Sequence, residues 1–135
     1  MRVFVVLLLL VSGILRVQAQ VTSSGTEFWL TYMENLMLPA NGQPSFDVVV
    51  SSEIGTQGEL QIPATGYSVP FTIVPDEPTV ITLPANIYYP QGDEAFFNYG
   101  IRIIGDDEID VQAYHHRLFF SEATLVHPVE RLGVD

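Results

Sequence analysis

The stretch GDDEIDVQAYHHR, residues 105–117, gathers the side chains best suited to chemistry. Asp106, Asp107, Glu108 and Asp110 lie within five positions, and His115 and His116 follow. Carboxylates and imidazoles brought together can hold a divalent ion or share a proton in acid–base catalysis. Spacing argues against one joint site. Residues 109–117 alternate as a strand does, and at about 3.3 Å of rise per residue Asp107 and His115 stand roughly 26 Å apart along it. Ligands of one ion each sit only a little over about 2 Å from it. Adjacent strand residues also face opposite sides, so His115 and His116 cannot chelate one ion together. His115 shares register with Ile109, Val111 and Ala113 and is expected to face inward, with His116 facing out. GDDE reads as a solvated turn between two strands. Its spacing lacks the D-x-[DN]-x-[DN]-G calcium pattern, and weak calcium binding at Asp106, Asp107 and Glu108 stays open. His127 offers a third imidazole without a completing ligand set.

Nucleophilic chemistry has less support. The chain has no cysteine, no lysine and no G-x-S-x-G elbow, and Ser51-Ser52 has no obvious histidine partner. No catalytic residue, cofactor or metal is therefore expected. The enzymatic alternative is a secreted hydrolase acting on glycans through surface carboxylates such as Asp93 and Glu94, but no second carboxylate is placed opposite that pair.

The elements that must position these residues read as strands. Alternation marks 46–52, 59–63, 67–75 and 79–84, bounded by glycine and proline. Pro70 lies inside its run, so that strand should be an edge or carry a bulge. GTEFWLTYMEN (25–35) sets Phe28, Leu30 and Tyr32 against Glu27, Trp29 and Thr31, and Trp29 is expected to fill the core or the space between sheets. Strands at 101–104 and 109–117 flank the GDDE turn. Residues 127–133 carry a short helical signal, with Pro128 suited to a first helical position and Gly133 to a C-terminal cap. Seven or so short strands with almost no helix indicate an all-β antiparallel sandwich ending in a short helical turn. The aromatic segment 87–100 reads as a long connection. Its rings Tyr88, Tyr89, Phe96, Phe97 and Tyr99 are the candidate ligand-contact surface, with sealing of the sandwich edge as the other reading.

Arg2 followed by the apolar run Val3 to Leu15 and by Val17-Gln18-Ala19 has the order of a secretory signal peptide, residues 1–19. Residues 20–135 then form the folded domain. All 16 acids fall in that domain, with three arginines (Arg102, Arg117, Arg131), so its formal charge is −13. Such a surface repels nucleic acid and anionic lipid. No stretch after the leader approaches the roughly 20 apolar residues of a membrane span, and a secreted chain without cysteine must be held by packing.

Several motifs in order, GTEFWLTYMEN, FDVVVSSEIGTQGELQIPATGYSVPFTIVP, VITLP, YGIRIIGDDEIDVQAYHHR and LVHPVERLG, resemble the start of the N-terminal domain of the IgGFc-binding protein family. The resemblance spans Gly25 to Gly133. It departs at Glu108-Ile109 and Ala113-Tyr114, where the family commonly has Pro-Val and Val-Tyr, and at His127-Pro128 in place of Leu-Pro. The family domain continues past the L-G motif, so the chain looks truncated, and a missing C-terminal part is expected to cover Ile101, Ile103, Ile109 and Val111. The resemblance implies an extracellular, non-catalytic module of a larger secreted or cell-surface protein, whose partners are extracellular proteins or glycoconjugates.

Overall fold

The computed structural model describes residues 22–33, 44–84, 98–118 and 120–133. The leader and the rings Tyr88, Tyr89, Phe96 and Phe97, together with Asp93 and Glu94, lie outside the described residues. Seven strands follow in chain order: β1 (Gly25–Leu30), β2 (Ser45–Ser51), β3 (Thr56–Ile62), β4 (Tyr67–Ile73), β5 (Thr79–Thr82), β6 (Ile101–Arg117) and β7 (Phe120–Val126), before a 3-10 turn at Val129–Arg131. All pairings are antiparallel. The all-β sandwich expected from the strand pattern is the fold observed.

The register shows how the sandwich is made. The first half of β6 pairs with β3 (Gly58↔Gly105) and β1 (Phe28↔Ile103); the second half pairs with β2 (Ser51↔Asp110) and β7 (Val111↔Val126). β4 lies beyond β3 and β5 beyond β2. Two four-stranded layers, β4-β3-β6-β1 and β5-β2-β6-β7, therefore share one 17-residue strand. Along one flank β2 runs on into β3 through residues 52–55, and outside it β4 runs on into β5 through residues 74–78. Four columns of backbone fold over at one level, and the inner faces meet, as in sandwiches whose strands cross between sheets.

Two sequence expectations are corrected here. GDDE does not separate two strands: residues 105–108 lie within β6. Asp106, Asp107 and Glu108 have no ladder partner among the described residues, and three extra residues of β6 bulge out between the pairs Glu27↔Ile104 and Gly25↔Ile109. A Cβ on Gly105 would lie 3.1 Å from Ile109 Cγ2 and 2.7 Å from the Asp107 carbonyl. In a straight strand, residues four apart are separated by about 13 Å, so the chain bends sharply there. Glycine at 105 is what allows it. The second correction is β7. FSEATLV shows no clean alternation and is exposed at five consecutive positions, 121–125; pairing with β6 makes it a strand.

Hydrophobic alternation supplies the core. Phe28, Leu60, Ile103, Ile109, Val48, Val50 and Val111 are all fully enclosed. Ile101, Ile103, Ile109 and Val111 are thus buried in this structure, contrary to the expectation of an uncovered face. Pro70 sits in β4, whose pairing among the described residues is with β3 alone, which is the edge position its missing N–H requires. At the other edge, the segment after β7 folds over β1. Pro128 caps the 3-10 turn rather than opening a helix, bridges to Phe28 and is buried, and Gly133 has the positive φ of 77° expected beyond a helical end. No helix among the described residues is long and apolar enough to cross a membrane.

Candidate functional site

Three regions bear on function, and β6 runs through all of them. At the bend, the acidic residues are divided among structural duties. Thr56 Oγ1 donates to Asp107 Oδ2 at 3.0 Å, and Asp110 Oδ1 accepts from Ser23 Oγ at 2.5 Å and Ser24 Oγ at 3.1 Å. Ser52, itself buried, donates to the Glu108 carbonyl at 2.9 Å, and its own carbonyl accepts from the Asp76 N–H at 3.1 Å. These bonds stitch the bend across adjacent columns. Asp106, Asp107 and Glu108 are all exposed, and no group of three or more His, Cys, Asp or Glu among the described residues is placed to hold a metal ion.

The histidines separate as their register predicts. His115 is buried, stacked on Phe46 with ring centroids 4.5 Å apart and edge-on to Tyr32 at 6.2 Å. Burial lowers its pKa, opposed by the Glu122 carboxylate and assisted by Arg117 and His116. It is held as a neutral ring at neutral pH. Tyr32 donates to the Asp47 carbonyl at 2.7 Å, and burial, with the Asp47 charge, raises its phenol above the ordinary 10.0. His116 points outward, with Nδ1 at 3.5 Å from Asp47 Oδ2. A cleft of about 320 Å³ lies beside this cluster, between Leu30–Met33 and β7, with Ala113, His115 and Glu122 in its wall. The ring of His115 presents almost no surface to it, which is poor geometry for a general base.

The third region is the outward face of the β4-β3-β6-β1 layer, where Trp29 lies. The expected core position is corrected: Trp29 is 46% exposed. Phe28 fills the interior, so strict alternation turns Trp29 out. A Cβ on residue 100 would lie 3.2 Å from the indole Cε3 and Cζ3, so the ring packs over glycine backbone. The indole Nε1 donates to Glu27 Oε1 at 3.0 Å, and the same oxygen accepts from Arg102 Nε at 2.8 Å. The Arg102 guanidinium carbon stands 5.8 Å from the indole centroid, within cation–π range. Arg102, and then Trp29, hold the Glu27 carboxyl below its ordinary 4.5. Two strands away Glu59 is held low in the same way by Ser68 and then Gln61, which donates from Nε2 at 2.7 Å. Cross-strand pairing aligns Trp29, Arg102, Gln61 and Ser68 in one row, and Glu27, Ile104, Glu59 and Pro70 in the next. An exposed indole held by its neighbours and set beside hydrogen-bonding groups is the strongest candidate contact surface among the described residues.

Of the rings expected to make ligand contact, Tyr99 is half-buried, immediately before Gly100. Sequence reasoning missed Trp29 as a surface residue although the alternation already set it opposite Phe28. No family model, curated protein or solved structure matches this chain.

Proposed function

We propose that the protein is an extracellular, non-catalytic binding module that recognises glycoconjugates through the outer sheet face around Trp29. The observation that carries this reading is the half-exposed indole, immobilised over Gly100 and tied through Glu27 to Arg102. Aromatic faces stack on the apolar faces of sugar rings, and the entropic cost of binding is small when the platform is already rigid. The leader-like first 19 residues and the resemblance to the IgGFc-binding protein family support an extracellular setting, and the strongly acidic composition disfavours nucleic acid.

A glycan and mucin array probed with the protein and with Trp29→Ala tests the reading. The expected result is retention of glycan by the native protein and a loss of about tenfold or more in the variant, equivalent to about 1.4 kcal/mol. Thermal melts should coincide, because the ring is outside the core. Equal binding by the variant, or no glycan bound at all, overturns the proposal. Turnover of a bound glycan would establish the hydrolase alternative instead.

A further inference from the structure

The same face has a shape and a charge that restrict what lies on it. Trp29, Arg102, Gln61 and Ser68 belong to four adjacent strands and pair directly, one to the next. Strands lie about 4.8 Å apart, so the row is roughly 14 Å long, the span of about three hexopyranose units. Along it the groups alternate in kind: an apolar ring, a guanidinium with only its Nε engaged among the described residues, a carboxamide and a hydroxyl. At the Ser68 end β4 pairs with β3 alone among the described residues, and Ser68, Pro70 and Thr72 on this face are exposed.

Charge is the second restriction. Arg102 is neutralised by Glu27 at 2.8 Å. Glu59, with no ion-pair partner among the described residues, adds a negative charge in the neighbouring row, and its hydrogen bonds from Ser68 and Gln61 favour its ionised form. The whole chain carries a formal −11. Sulfate, uronate or sialate groups brought here would meet repulsion from both the face and the molecule.

We propose that the Trp29 face takes an internal stretch of a neutral, linear glycan, laid across the strands and reading about three sugar units. This rests on the glycan-binding reading above. Trp29 stacks one ring, Arg102 and Gln61 donate to hydroxyls of the rings that follow, and Ser68 Oγ, whose proton is given to Glu59, accepts from one.

The test is a titration series with neutral linear oligosaccharides of increasing length, run beside sulfated and sialylated counterparts, for the native protein, Trp29→Ala and Gln61→Ala. Affinity for neutral chains should rise up to about three units and then level off, with charged counterparts at least about tenfold weaker. Gln61→Ala should keep binding of short chains and lose the gain from added units, while Trp29→Ala loses all lengths. If charged glycans bind better, or if affinity is already full for a single sugar, this inference fails while glycan binding itself stands. If nothing in the series binds, the glycan reading fails with it. The native length series decides the matter even if Gln61→Ala does not fold.

Discussion

At the scale of single residues, burial and register decide which titratable groups respond to pH. His115 is the informative one. Its imidazole is held below 6.5 mainly by burial, so the unfolded chain takes up a proton at a pH where the folded chain does not. Its contribution to stability is therefore full above about pH 6.5 and declines as pH falls below it. Melting temperatures should drop as pH falls below about 6.5. In His115→Leu that drop should shrink; parallel curves for the two proteins would remove the assignment. Sequence made this residue legible, because Ile109, Val111, Ala113 and His115 share one parity and all are buried. Trp29 shows the opposite lesson. Its residue type favours the interior, but its parity sets it outside, and parity won because Phe28 and the backbone of β1 fix the alternation.

At the scale of elements, the bend is the feature that makes one sheet into two layers. Ser52 is its keystone: buried, it donates to the Glu108 carbonyl, accepts from the Ile54 N–H at 3.3 Å, and through its backbone receives Asp76. Ser52→Ala removes the hydroxyl and leaves a part-buried carbonyl of β6 unsatisfied, at a cost of about 1–3 kcal/mol. Denaturant melts should show the midpoint falling with an unchanged slope, and an unaltered midpoint would mean that the stitching contributes nothing. The strand runs 46–52, 59–63, 67–75 and 79–84 were legible because local alternation and burial agree there. The continuity of β6 was not. Gly105 and three acids carry every local sign of a turn, and the chain does bend sharply at that point. Only the pairing of Asp110 with Ser51 and of Gly105 with Gly58, long-range facts, keeps both sides in one strand. β7 was invisible for a related reason: an edge strand exposed at most positions has no apolar rhythm to show.

At the scale of the whole molecule, the two described ends come together. Arg131 Nη2 donates to Thr22 Oγ1 at 2.9 Å, Thr26 Oγ1 donates to Glu130 Oε1 at 2.7 Å, and Pro128 bridges to Phe28. In register, β7 ends opposite Val111 and β1 begins opposite Ile109, so the last strand runs on into the first along the same side of β6. A variant with Gly133 joined to Thr22 by a short linker, and opened in the exposed turn at Ala64, should fold and melt cooperatively near the native temperature. Circular permutation is tolerated where ends are close and the new break lies in an exposed turn. A permuted chain that stays unfolded would show that the order of synthesis, and not only the final contacts, is needed to bring β1 to β6.

The meeting of the ends also sets how the domain responds to a pull. Tension applied at residues 22 and 133 first meets the bond from Arg131 to Thr22, then those from Ser23 and Ser24 to Asp110 and from Thr26 to Glu130, then the bridge from Phe28 to Pro128. They lie one after another along the seam and open in succession, as a zip does. The core behind β6 stays slack until β1 has peeled away. Tugged at both ends, the domain yields early at this seam and keeps the Arg102, Gln61 and Ser68 part of its contact face in the portion that remains folded.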